Sequence, residues 1–341
     1  MIARPLLAIA LAATPLISLS EDILGHGEFR YRMVPHWGEA ALAKLSIGNG
    51  HAMAVDGAGR IIFLTDDAKN NVIILSPGGE LLESWTARMP GAHGLTLTVE
   101  QGQELLFITS TALHEVRKLT LKGEERLHVP WPEASKLYTK ADEYKPSKVL
   151  LSDRGEFIVF DGYGKDYVHH FDASGKLLKS WGGNLGEGEN QLAHFGPHGG
   201  AVDRRNPAKP VMLVCMSDKQ EVKRFTLDGQ FIDKFAMPGG NPRDAVIWNE
   251  FLFIPHLGDQ WPKDKNAPGF ISVLNANNQV ISNIGGTAPE FGADGSLKPM
   301  QATRPSAFIH PHGMAVDALG NIYVAQFASK SAPVLKLERV R

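Results

Sequence analysis

The chain has 341 residues and a single cysteine, Cys215. No internal disulfide framework is available to it, nor any multi-cysteine zinc or iron–sulfur site. Cys215 follows the apolar run 211–214 and is expected to behave as a small buried hydrophobe. Net charge is nearly absent: 35 Lys and Arg stand against 37 Asp and Glu. No global field therefore draws nucleic acid or an anionic membrane to the chain. Long apolar runs are missing after the first twenty residues, so nothing later is expected to span a bilayer. With 43% hydrophobic and 21% charged residues the chain is not a disordered one and has material for a sizeable core. Glycine and proline are plentiful, 35 and 21, and recur at intervals, which suits many short strands joined by tight turns.

The one apolar run lies at the start. Arg4 gives a short positive region, residues 6–17 are almost wholly apolar, and Ser18-Leu19-Ser20 offers a small-x-small cleavage site before Glu21-Asp22. About a dozen residues broken by Pro15 fall short of the ~20 that cross a bilayer. Residues 1–20 are read as a signal peptide, with a retained anchor as the alternative, and 21–341 as one domain of a periplasmic or secreted protein without a membrane span.

A phrase then returns six times: a small or Pro/Gly opening followed by apolar alternation. It reads Gly50-His51-Ala52-Met53, Ala92-His93-Gly94-Leu95, Pro146-Ser147-Lys148-Val149, Pro197-His198-Gly199-Gly200, Pro242-Arg243-Asp244-Ala245 and Pro311-His312-Gly313-Met314. A second apolar run follows each copy, as at 61–64 and 322–325. In five copies a third run and a hairpin turn come next, such as Pro77-Gly78-Gly79 or Leu227-Asp228-Gly229. Six copies after the leader give a period of roughly 53 residues, in the range of propeller repeats. The pattern predicts an all-β, six-bladed β-propeller. The last copy has three strands before the chain ends at Arg341, and residues 28–34 can supply the fourth, closing the ring and covering an edge.

In such a ring the first residue after each opening stands at one mouth of the central channel. Those positions are His51, His93, Ser147, His198, Arg243 and His312: four histidines at six equivalent places, from 13 in the chain. His93, His198 and His312 belong to alternate blades, about 120° apart. Three imidazoles converging at that angle can ligate one ion and leave a position open, the pattern of catalytic zinc; copper, iron and nickel also accept imidazole. Hydrogen bonding among themselves and with water is the alternative for any one of them. The loop after each second strand opens on the same mouth. In blade three it is Asp161-Gly162-Tyr163-Gly164, which offers Tyr163 as a general base. A tyrosine packed over a turn is the competing reading. Corresponding loops bring Asp66, Lys219 and His256 to that face. Arg243, Lys148 or Lys219 would pair with a substrate carboxylate, with His51 and Ser147 lining the mouth.

At this point the chain resembles the NHL-repeat propellers, and among them the lyases that release peptide amides from peptidyl-α-hydroxyglycine. Residues 90–95 and 111–119 look like that family's first zinc-histidine segment and the strand after it. Asp161-Gly162-Tyr163 is similar to the segment of its catalytic tyrosine, and Pro197-His198 and Pro311-His312 resemble the second and third zinc-histidine segments. The resemblance implies zinc on His93, His198 and His312, and Tyr163 as catalytic tyrosine. The family's substrate arginines are missing: the corresponding loops read Leu64-Thr65-Asp66-Asp67 and Met216-Ser217-Asp218-Lys219. The aspartate that helps hold the family's calcium corresponds to Gly313, so Ca2+ is not carried over as zinc is.

The sequence thus points to a metal-dependent lyase or hydrolase carrying Zn2+ or another divalent transition metal, with a small-molecule or peptide-like substrate other than peptidyl-α-hydroxyglycine. A non-catalytic exported propeller that binds a protein or glycan is the alternative. A gluconolactonase-like reading would need a carboxylate and amide calcium cluster that a histidine ring does not supply.

Overall fold

Each repeat folds as a four-stranded antiparallel blade, and the turn chemistry sets where it reverses. The hairpin between the third and fourth strands of blades one to five ends on Gly79, Gly123, Gly175, Gly229 and Asn278, all with positive φ (90°, 83°, 85°, 87° and 58°). That left-handed backbone is what glycine and asparagine tolerate best. Described in the computed structural model are residues 23–341 apart from 186–187, 194–195, 259–263 and 329–332. The signal-peptide reading of residues 1–20 lies outside them. Among the described residues no helix is long and apolar enough to cross a membrane.

Blade one is Gly50–Val55, Ile61–Thr65, Val72–Leu75 and Leu81–Trp85, ordered from the channel outward. Blades two to five repeat that order, starting at Ala92–Glu100, Lys148–Leu151, Pro197–Asp203 and Val246–Trp248. Blade six takes Pro311–Val316, Ile322–Gln326 and Val334–Val340 from the end of the chain and Phe29–Met33 from its beginning. The expected closing strand is therefore present. Ile23–His26 pairs outside it as a fifth strand that the repeat pattern does not contain.

The apolar residues form six clusters, one between each pair of neighbouring blades. Period-two alternation makes this so, because successive side chains leave a strand on opposite faces. In the buried strand Ile61–Thr65, Ile61 and Phe63 pack toward blade six with Tyr323 and Ala325. Ile62 and Leu64 pack toward blade two with Leu106 and Ile108. Cys215 is buried in the cluster between blades four and five, as expected of a small hydrophobe. Closure of the ring leaves the inner strands facing a channel, and their first residues facing its mouth.

Candidate metal centre

Every histidine of the repeat sits on a break in its strand ladder. Pairing of the inner strand with its neighbour skips from Gly50 to Ala52, Ala92 to Leu95, Pro197 to Gly199 and Pro311 to Gly313. A bulge re-aims the side chain it carries, and here it turns His51, His93, His198 and His312 onto the axis. All four are buried, at 2–6% exposure. Ring centroids of His93, His198 and His312 lie 4.7–4.9 Å apart, and His51 lies 4.7 Å from His93 and 5.0 Å from His312.

The alternate-blade trio is oriented by one device used three times. His93 Nδ1 is 2.9 Å from Ser147 O, His198 Nδ1 is 2.7 Å from Arg243 O, and His312 Nδ1 is 2.8 Å from His51 O. A carbonyl only accepts, so each Nδ1 carries the proton and each Nε2 keeps a bare lone pair. The glycine after each histidine makes the contact possible. A Cβ on Gly94, Gly199 or Gly313 would collide with the same carbonyl, of Ser147, Arg243 or His51 respectively. His-Gly is thus the local signature of the trio. His51 is followed by Ala52 and is held differently: its Nε2 lies 3.3 Å from Asp66 Oδ2. Asp66 also accepts from the Asn49 N–H and amide. Against burial, which pushes it up, His51 and Asn49 hold the Asp66 carboxyl below the usual range.

Burial, and then the neighbouring positive and imidazole groups, pull His93, His198 and His312 well below the ordinary histidine value. They are neutral acceptors at neutral pH. Tyr163 Oη lies 2.7 Å from His198 Nε2 and 3.1 Å from His93 Nε2, yet its single proton serves only one of them. A cage with more inward lone pairs than protons suits a cation. The ligand nitrogens of His51, His93 and His312 lie within 4.8 Å of one another. That triplet contains His51 rather than the predicted His198, whose ring packs against those of His93 and His312.

Tyr163 is placed by its flanking glycines through close packing rather than unusual φ. A Cβ on Gly162 would strike Pro197 O, and one on Gly164 the Asp161 carboxylate. Asp161 anchors the turn by accepting from Lys145 N, Lys165 N and Tyr138 Oη at 2.7 Å each; burial pushes its carboxyl up to about 7. Burial also pushes Tyr163 up to about 12, with Arg243 opposing. The Arg243 guanidinium is buried, and its Nε has no hydrogen-bond partner among the described residues. A cavity of about 580 Å³ opens above the ring, lined by His51, Asp66, His93, Lys145, Tyr163 and Phe327.

Other sequence candidates are placed elsewhere. Ser147 is buried, with its hydroxyl donating to Pro197 O, so it serves the ring through its carbonyl. Lys148 lies below the ring and pairs with Asp244 at 2.8 Å. Lys219 is exposed and lines neither the cavity above the ring nor the small void beneath it. His256 ends the strand Phe251–His256 and is buried inside blade five, with Nε2 2.9 Å from Ser272 Oγ. The sequence put it in the loop beyond; the strand runs one step further and keeps it in the blade. Lys145, Asp161 and Asp244 were not singled out as site residues. The signal for Lys145 was its place just before the Pro146-Ser147 opening.

Burial pulls His256 down to about 3, which carries a pH consequence. Between about 3 and 6.5 the unfolded chain binds a proton that folded His256 refuses, so stability falls as pH drops through that window. Replacing His256 by Gln should make the acid loss shallower by up to about 1.4 kcal/mol per pH unit. Urea unfolding of both proteins between pH 4 and 7 checks this; parallel curves refute it.

The six-bladed propeller fold is one that enzymes also adopt. No protein-family model matches the chain. Peptidyl-alpha-hydroxyglycine alpha-amidating lyase 1 of Drosophila melanogaster is 27% identical over 125 residues, 35% of this chain and 22% of that protein. The chain thus matches about a fifth of the length of that curated relative, which bears out a resemblance to those lyases. Among solved structures, a streptogramin B lyase aligns with TM-score 0.56 at 14% identity over 86% of this chain and 95% of the other. A gluconolactonase from Xanthomonas campestris gives 0.54 at 13% over 90% and 89%. A calcium structure of the Trichoderma reesei AA12 family gives 0.56 at 13% over 96% and 100%. At these identities the likeness is one of fold.

Proposed function

We propose that the chain is an exported, metal-dependent enzyme of the lyase or hydrolase type, of NHL-repeat character. His93, His198 and His312 would hold zinc or another divalent transition metal. The observation that supports this most is the set of Nε2 lone pairs that three next-blade carbonyls turn to the axis. A bound cation would supply Lewis acidity toward a substrate hydroxyl or carbonyl oxygen.

The protein's own groups do the rest. Tyr163 Oη, at the cavity floor between His93 and His198, takes a proton from the substrate oxygen and returns it to the leaving group. Its raised proton affinity makes it a strong base once ionised, and Arg243 favours the ionised form. Arg243 lines the small void under the histidines rather than the cavity above them, and would pair with an acidic substrate group that reaches the ring. Calcium gains no support from Gly313, which packs on the His51 carbonyl.

The substrate differs from that of the amidating lyases. Where those enzymes resemble this chain they carry two arginines, and here Thr65/Asp66 and Ser217/Asp218 stand. Each lost charge-assisted hydrogen bond costs ~1.5–3 kcal/mol, or about one to two decades in kcat/KM. Metal-loaded protein incubated with α-hydroxyhippurate should therefore release glyoxylate only at trace level, and what there is should vanish in Tyr163→Phe. Vigorous turnover lost in Tyr163→Phe and indifferent to Arg243→Ala would return the chain to the amidating reaction. Turnover unaffected by Tyr163→Phe would remove the tyrosine from the mechanism.

A further inference from the structure

The fourth histidine of the ring does not share the tether of the other three. His51 Nε2 is directed at Asp66 Oδ2. A carboxylate only accepts, so Nε2 carries the proton and Nδ1 the lone pair. Among the described residues that Nδ1 has no hydrogen-bond partner, and the residue is only 6% exposed. An imidazole acceptor shut away from water with nothing donating to it forfeits a hydrogen bond for no visible return. One ring nitrogen each of His51, His93 and His312 nonetheless lies within 4.8 Å of the other two, and the His51 ring centroid is 4.7 Å from that of His93 and 5.0 Å from that of His312.

We propose that His51 is a fourth metal ligand, presenting Nδ1 where the other three present Nε2, with Asp66 as its backing carboxylate. The proposal rests on the reading of the ring as a metal centre. Ala52 in place of glycine accounts for the inversion. In blades two, four and six the glycine admits the neighbouring carbonyl to Nδ1, whereas His51 has its second nitrogen occupied from the loop after its own blade's second strand. The carboxylate-backed imidazole is the usual way a histidine ligand is oriented and made more basic. Four nitrogens fill a tetrahedral zinc site, so a site that also takes substrate would favour an ion of five or six ligands: ferrous iron, nickel or copper.

The test uses the whole protein and metal alone. Cu2+ and Co2+ are added to the apo form, affinities are taken by competition with a chromophoric chelator, and the Cu2+ centre is examined by electron paramagnetic resonance. Four equatorial nitrogens are expected in the wild type and three in His51→Ala, with affinity at least tenfold weaker. Asp66→Asn should weaken binding about 10- to 100-fold, as loss of an outer-shell partner does. Should His51→Ala not fold, His51→Gln, which keeps a donor to Asp66, replaces it. Unchanged affinity and spectrum in the His51 variant, with binding abolished in His93→Ala, would overturn the fourth ligand and leave the trio standing. A wild type that binds neither metal overturns both.

Discussion

Purified protein is expected to carry about one equivalent of a divalent transition metal, and His93→Ala/His198→Ala close to none. The expectation follows from counting protons. Each of the three carbonyl tethers fixes the proton on Nδ1. Each pKa is pulled far enough down by burial that no second proton is taken up near neutrality. Inward-facing acceptors in a dry site repel one another unless a cation joins them. Removing two of them leaves His312 and His51, too few to close a shell, so occupancy should collapse rather than decline. Because ligand histidines must be deprotonated, affinity should also fall on acidification. Elemental analysis after dialysis, with anomalous difference maps to place the ion on the axis, checks the result. A double variant that keeps a full, tightly held equivalent refutes the assignment.

The ring was legible in the sequence because a propeller repeats. One register, read six times, brought His51, His93, His198 and His312 to equivalent points without knowledge of any contact. The hairpin glycines and the closing strand were legible for the same reason: turn chemistry and edge protection are local demands. What the repeat did not carry is how each ring is turned. The three tethers join residues 45, 54 and 261 positions apart, and only the glycine after the histidine hints at them. The partition between tethered trio and carboxylate-backed His51 rests on that one residue. His256 was misplaced because loop boundaries are fixed by pairing, here with Phe270, and apolar patterning says little about where a strand stops. Asp161 read only as the first residue of a loop and is in fact its anchor, through three donors contributed by residues 138, 145 and 165.

Breaking the ion pair beneath the ring should be the most damaging single change outside the apolar cores. Lys148, on the inner strand of blade three, reaches across the channel to Asp244, beside the inner strand of blade five, at 2.8 Å. Their side chains are only 15% and 9% exposed. Asp244 Oδ1 additionally accepts from the Ala245 N–H at 2.9 Å and the Gly200 N–H at 3.2 Å. Asp244→Ala therefore strands an ammonium in a nearly dry channel and leaves two backbone donors without their acceptor. Removing one partner of a buried pair costs about 3–5 kcal/mol. Lys148→Met is milder, because Asp244 keeps both backbone donors and the methionine fills the stem's volume. Adding Lys148→Met to Asp244→Ala should restore part of the loss, since the stranded charge is what costs most. Urea unfolding of the four proteins in a double-mutant cycle measures this, with unchanged m-values as the sign that stability alone has moved. A loss below 1 kcal/mol for Asp244→Ala would mean that water reaches Lys148 freely. The pair also bears on the site above: it lines the small void under the histidines, and its ammonium opposes a cation sinking from the ring into the lower channel. Asp244→Ala should therefore weaken metal binding as well as folding, because the stranded charge then faces the ring uncompensated.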